Sequence, residues 1–134
     1  MTMNIVIPTE AQEQTAVFNW AAVMARKWPE LRLLHHIPNG GSRNAREAHN
    51  LRMQGVKPGI PDICLPVARR GYHGLYIEMK RRKGGRISED QGTVLGLLRE
   101  QGYCAWVCKG ANDAIELITE YLGNGNNTTM QGLF

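Results

Sequence analysis

Two short stretches of the chain carry side chains able to do metal and phosphate chemistry: Gly59-Ile60-Pro61-Asp62 and, a little further on, Glu78-Met79-Lys80. In a β-strand successive side chains alternate, so Glu78 and Lys80 project from one face while Ile77 and Met79 pack on the other. A carboxylate beside an ammonium at the end of an apolar strand has two explanations. One is a solvated edge with a cross-strand ion pair; the other is a site that needs a metal ligand and a nearby cation. An isolated E-x-K favours the first. Asp62 changes the balance, because it begins the preceding strand and a hairpin would set it beside Glu78. Two converging carboxylates repel each other, and a divalent cation relieves them. Mg²⁺ takes oxygen ligands, usually one or two carboxylates with water and phosphate oxygens. Lys80 could then hold or activate an attacking water and offset charge building on a phosphate. Gly59 and Pro61 fix how the chain runs into the strand, a role that an ordinary tight turn would also explain.

The elements that must position these residues can be read from period and punctuation. Thr9 caps a helix starting at Glu10, with Gln12 placed to complete a capping box, and Val17, Ala21, Met24 and Trp28 form its apolar stripe before Pro29. Leu31 to Ile37 is predicted as a strand, and Pro38 to Ser42 as a turn-rich loop. Asn44 to Gln54 reads as a short basic helix stopped by Gly55. Asp62 to Val67 and Gly74 to Lys80 make a hairpin around the basic turn Ala68 to His73. Ser88 caps the next helix, with Gln91 three residues on and Val94, Leu95 and Leu98 on its apolar side. Gly102 ends it, Tyr103 to Cys108 is a strand, and Ala111 to Leu122 a last helix. The order α-β-α-ββ-α-β-α predicts an α/β fold, a mixed sheet of about four strands flanked by helices. Residues 1–122 are read as one domain. The tail from Gly123, rich in Gly, Asn and Thr, reads as disordered.

Charge adds a partner. Fourteen of the sixteen Lys and Arg residues lie between Arg26 and Arg86, opposed there only by Glu30, Glu47, Asp62 and Glu78. A basic middle suits a polyanion, since cationic side chains gain affinity by releasing counterions from phosphates, although many solvated surfaces are as basic. There is no membrane-length apolar run and no signal-peptide core at Met1 to Thr9, so an intracellular, cytoplasmic protein is expected. Cys64, Cys104 and Cys108 lie in apolar stretches and read as buried reduced thiols; a metal site with His35 and His36 has no supporting spacing. Trp20, Trp28 and Trp106 read as core aromatics.

Taken together, Gly55-Val56-Lys57-Pro58-Gly59-Ile60-Pro61-Asp62, Gly74-Leu75-Tyr76-Ile77-Glu78-Met79-Lys80 and Gly85-Arg86-Ile87-Ser88-Glu89-Asp90-Gln91 resemble the VRR-NUC family of the PD-(D/E)xK nuclease superfamily. The resemblance covers roughly Glu10 to Leu122. It implies a restriction-endonuclease-like core in a standalone protein of phage or prophage type, acting in a bacterial host as a homodimeric, Mg²⁺- or Mn²⁺-dependent endonuclease. Four-way DNA junctions would be its substrate, with flaps or other branched DNA as alternatives. Carried over by position, Asp62, Glu78 and the Met79 carbonyl match the family's metal ligands, Lys80 its catalytic lysine and Gln91 its active-site glutamine. The Ser88–Gln91 capping box offers a rival explanation of Gln91.

The family also has an acidic residue in its first helix. Glu10 and Gln14 continue the stripe of Val17, Ala21, Met24 and Trp28, whereas Glu13 lies at its edge. Glu10 is therefore assigned to the site and to the metal, against the alternative of a solvated first-turn residue favoured by the helix dipole. Arg81, Arg82, Lys83 and Arg86 follow the catalytic lysine and could hold the phosphates flanking a cut. Lys57 precedes the Asp62 motif, and Arg43 and Arg46 resemble the family's basic loop. The rival from another class is a non-catalytic nucleic-acid-binding module whose carboxylates are only structural. A sequence-specific restriction-type nuclease would share the same site, but the chain leaves little room for a base-reading element.

Overall fold

The computed structural model describes residues 6–39 and 44–123. Helix α1 (Glu10–Met24) begins at the expected box: the Gln12 N–H donates to Thr9 Oγ1 at 3.1 Å, and the Thr9 N–H donates back to Gln12 Oε1 at 2.8 Å. The predicted strand from Leu31 to Ile37 is mostly something else. Pro29 opens a 3₁₀ turn over Pro29–Leu33, and only His35–His36 (β1) pairs into the sheet. The reason is spacing: Leu31 and Leu34, three apart, are both buried while Leu33 between them is half exposed. That is a helical period, and proline at the first position presets its φ.

Helix α2 (Ala45–Met53), capped by the Asn44 side chain, buries none of its residues. Strand β2 (Ile63–Leu65) is shorter than the predicted Asp62–Val67. Pro66 offers no N–H to extend the ladder, and Asp62 turns its carboxylate onto the Met79 N–H at 2.8 Å. Strand β3 (Leu75–Lys80), helix α3 (Glu89–Glu100), strand β4 (Cys104–Lys109) and helix α4 (Ala111–Leu122) follow within a residue or two of their predicted limits. The sheet runs β1-β2-β3-β4, antiparallel except for the parallel β3–β4 pair, in which α3 is the crossover.

The fold is thus the expected mixed α/β layer structure. Leu75, Ile77 and Met79 point to one face, where Val17 and Ala21 of α1 and Ala114, Ile118 and Tyr121 of α4 close the main core. The larger aliphatic side chains among these each contribute roughly 1.5–3 kcal/mol by leaving water. On the other face α3 buries Leu95, outside that cluster, and reaches Glu78 through Gln91. The sheet is covered on both sides, which explains why all three residues of β2 are buried instead of alternating. Cys64, Cys104 and Cys108 are free and buried; burial pushes the Cys104 and Cys108 thiols up to about 12. Trp20, Trp28 and Trp106 pack partly buried against the core. Among the described residues no helix is long and apolar enough to cross a membrane. The predicted tail beyond Gly123 lies outside the described residues.

Gly59 ties this framework to the chemistry. Its φ is +86°, and a Cβ there would stand 2.5 Å from the Asp90 carbonyl oxygen and 2.6 Å from its carbon, both backbone atoms of α3. The Gly-Ile-Pro-Asp segment therefore packs directly on the first turn of the helix that carries Gln91. Gly59→Ala is expected to cost about 2–4 kcal/mol, strain and backbone clash together. Gly55→Ala, at φ +104° with nothing within 4 Å, should cost only about 1 kcal/mol. Urea unfolding midpoints of the two variants check this; equal shifts would show that the close approach to Asp90 does not matter.

Candidate active site

The carboxylates converge because of strand register. Ile63 of β2 sits opposite Ile77 of β3, so Asp62, the residue just before β2, comes level with Glu78 near the end of β3. Asp62 is gripped by its backbone as well. Its carbonyl accepts the Ile37 N–H and the His36 Nδ1–H, each at 2.7 Å, and Asn39 Nδ2 donates to the Ile60 carbonyl at 2.7 Å. His36 thus serves to hold the Asp62 segment. Sequence reading misses this role of His36 and Asn39 because the pairs are 26 and 21 residues apart and no local pattern marks them.

Glu78 is 1% exposed. Its Oε1 accepts Gln91 Nε2 at 2.7 Å and lies 3.6 Å from Lys80 Nζ, whereas Oε2 is buried with no hydrogen-bond donor. Burial, then the neighbouring Asp62 carboxylate, pushes the Glu78 carboxyl up to about 8, with Lys80 pulling the other way. Glu78 therefore keeps its proton to a pH at which an isolated carboxylate would have lost it. The Lys80 side chain is almost as enclosed, and Gly85 folds back over it: a Cβ there would sit 3.0 Å from Lys80 Cβ.

Gln91 joins the capping box to Glu78 with one amide. Its Oε1 accepts the Ser88 N–H at 2.8 Å and its Nε2 donates to Glu78, so the capping box aims the amide at the site. Glu10 also faces this end of the sheet. Burial raises its carboxyl above the ordinary value, Lys80 opposes that, and Asp62 adds to it. Glu13, expected at the edge of the stripe, is instead fully buried in line with Val17 and Ala21. Its carboxylate is taken by Arg82, from Nε at 2.8 Å and Nη2 at 3.2 Å.

Of the other basic candidates, Arg46, Lys57, Arg81, Lys83 and Arg86 are exposed, and Arg43 lies outside the described residues. Arg82 is exposed as well, 53% at its side chain, but its guanidinium bonds Glu13.

The donor set suits a hard divalent cation. A buried carboxylate oxygen without a donor, beside a second carboxylate, is an arrangement that a cation with oxygen preference stabilises and that an apolar or thiol-seeking ligand would not. Among the described residues no group of three or more His, Cys, Asp or Glu is gathered into a metal cage. Glu10 is near enough to be felt electrostatically, but it does not complete a three-carboxylate cluster with Asp62 and Glu78. The Met79 group that the structure ties to the site is its N–H, bound to Asp62.

A family model, the VRR-NUC domain, matches residues 4–112. A solved structure described as a VRR-NUC domain protein is similar with a TM-score of 0.78 and 32% sequence identity, covering 93% of this chain and 98% of that one. No curated protein matches.

Proposed function

The chain belongs to the VRR-NUC family of nuclease-type, DNA-acting domains, and from that premise we propose that it is a metal-dependent endonuclease cutting phosphodiester bonds in branched DNA. The observation that carries this reading is the gathering of Asp62, Glu78, Lys80 and Gln91 at one end of the sheet, with Glu78 Oε2 buried and unanswered. A module that only binds DNA has no use for a buried Glu78 carboxylate set beside a second, half-buried carboxylate that repels it.

Asp62 and Glu78 would hold Mg²⁺ or Mn²⁺, with the Met79 carbonyl as a further donor and Glu10 acting from the adjacent turn. A bound divalent ion supplies charge neutralisation at the phosphate and lowers the pKa of water. Lys80 holds the attacking water or the phosphate oxygen that gains charge, from a position where little solvent competes. Gln91 keeps the Glu78 carboxylate in one orientation through Oε1, leaving Oε2 free for the ion. Exposed Arg46, Lys57, Arg81, Lys83 and Arg86 supply phosphate contacts along the flanking DNA, each individually modest and salt-dependent.

A four-way junction is the substrate favoured here, and a homodimer follows from it, because symmetric cutting of two strands needs two such sites. With Mg²⁺, a panel of duplex, flap, splayed and four-way DNA should show paired cuts on the four-way substrate, and sedimentation should show a dimer on it. Cleavage of flaps alone by a monomer would reassign the substrate. Tight binding with no cut in Mg²⁺ or Mn²⁺, and affinity that falls steeply with salt, would establish the non-catalytic binding module instead.

A further inference from the structure

The residue Arg82 stands two positions beyond Lys80, at the place where a phosphate contact would be expected, yet two of its three guanidinium nitrogens, Nε and Nη2, bond Glu13 on α1. Glu13 is 2% exposed, and its carboxylate is answered by a forked pair of donors, the geometry in which arginine differs most from lysine. The contact is closely fitted. Gly110, at φ +90° after β4, lies against it, and a Cβ there would meet Glu13 Oε2 at 2.7 Å and Arg82 Cγ at 2.9 Å. The Gly110 N–H also donates to the Lys80 carbonyl at 2.9 Å, so the same glycine holds the end of β3. One turn before Glu13 on α1 is Glu10, whose carboxyl feels both Lys80 and Asp62.

Resting on the nuclease reading above, we propose that the Glu13–Arg82 pair is a positioning clamp: it fixes the first turn of α1, and with it Glu10, against the Lys80 end of β3. Arg82 is a positioning residue and makes no phosphate contact. Glu13 is buried while the Arg82 side chain is 53% exposed, so losing Arg82 leaves a buried carboxylate without its partner and losing the Glu13 charge removes the anchor of Arg82. In either case the first turn of α1 moves and Glu10 loses its place. Small displacements of that kind slow chemistry more than they weaken substrate binding.

The test uses the full chain on a synthetic four-way junction with Mg²⁺. Glu13→Gln and Arg82→Gln are each expected to lower kcat about tenfold with KM within about twofold. The double variant should be no worse than either single one. Arg82→Lys should stay impaired, because an ammonium cannot reproduce the two-donor fork. The clamp is overturned if Arg82→Gln raises KM and reduces the salt dependence by about one phosphate contact, Arg82→Lys restores both, and Glu13→Gln cuts normally. Should the wild-type protein cut no DNA, the nuclease reading fails separately. The clamp is then judged by amide hydrogen exchange in the metal-free protein: Gln14 and Thr15 should exchange at least about tenfold faster in each single variant and no faster in the double. Unchanged exchange overturns it.

Discussion

Replacing Lys80 with alanine is expected to slow DNA cleavage on the order of 10²–10⁴-fold while leaving the affinity for branched DNA within about twofold. The Lys80 side chain is 11% exposed and its ammonium lies 3.6 Å from Glu78 Oε1, too enclosed to act as one more backbone-binding charge. On the proposed reading that work falls to the exposed cations Arg81, Lys83 and Arg86 nearby. A group held in a water-poor pocket acts mainly on charge that develops during reaction, so kcat should suffer and binding should not. Lys80→Arg should rescue poorly, because Gly85 leaves a Lys80-sized space and a planar fork does not fit where a point charge is needed. Single-turnover cleavage, with circular dichroism to confirm folding, checks the result. Activity equal to wild type would remove Lys80 from the chemistry.

The alanine variant should also shift the pH profile. Lys80 holds the Glu78 carboxyl below the value that burial and Asp62 alone would impose. Without it, Glu78 keeps its proton to higher pH, and the residual activity should rise with pH later than in the wild type.

How far the site is legible in the sequence depends on how local each cause is. The capping boxes at Thr9 and Ser88 are fixed by side chains three residues apart, and both form as expected. The hairpin that aligns Asp62 with Glu78 is nearly as local, set by one basic turn between two apolar runs. Gln91 shows that a capping residue can also reach a candidate site residue, since an amide has an acceptor for the cap and a donor for Glu78. What escapes is long-range. The Glu13–Arg82 pair spans 69 residues, and the hydrophobic stripe of α1 gives no hint that a glutamate lies at its buried centre. A buried charge becomes visible only with its partner, and nothing near Arg82 distinguishes it from Arg81 or Lys83. The 3₁₀ turn escapes for another reason: a short leucine-rich run reads as a strand until two of its leucines are seen buried three apart.

Glu78→Gln should bring out the tension between stability and function at this site. The variant is expected to lose at least about 10³-fold in cleavage, because an amide cannot serve as the anionic ligand that Asp62 needs beside it. Yet the metal-free variant should be more stable than the wild type at neutral and alkaline pH. In the folded wild type Glu78 titrates near 8, against an ordinary value of 4.5. Between those values the folded state holds a proton that the unfolded chain has released, so stability falls as pH rises through this window. It is fully present below about 4.5 and lost by about 8. Glutamine resembles the protonated acid at every pH and can keep the bond from Gln91, so its stability should stay level across the window. The gain at pH 8 should be on the order of 2 kcal/mol.

Divalent metal should reverse the order of the two proteins. An ion must displace the proton that Glu78 holds, so Mg²⁺ should stabilise the wild type more at pH 8 than at pH 6 and leave Glu78→Gln nearly unchanged. Thermal unfolding of both proteins from pH 5 to 9, with and without Mg²⁺, measures all of this. A wild type whose stability is flat from pH 5 to 8, or a glutamine variant less stable at pH 8, would mean that Glu78 is not the strained group its burial implies. The agreement of a gain in metal-free stability with a loss of cleavage would identify Glu78 as a residue kept for chemistry at the fold's expense.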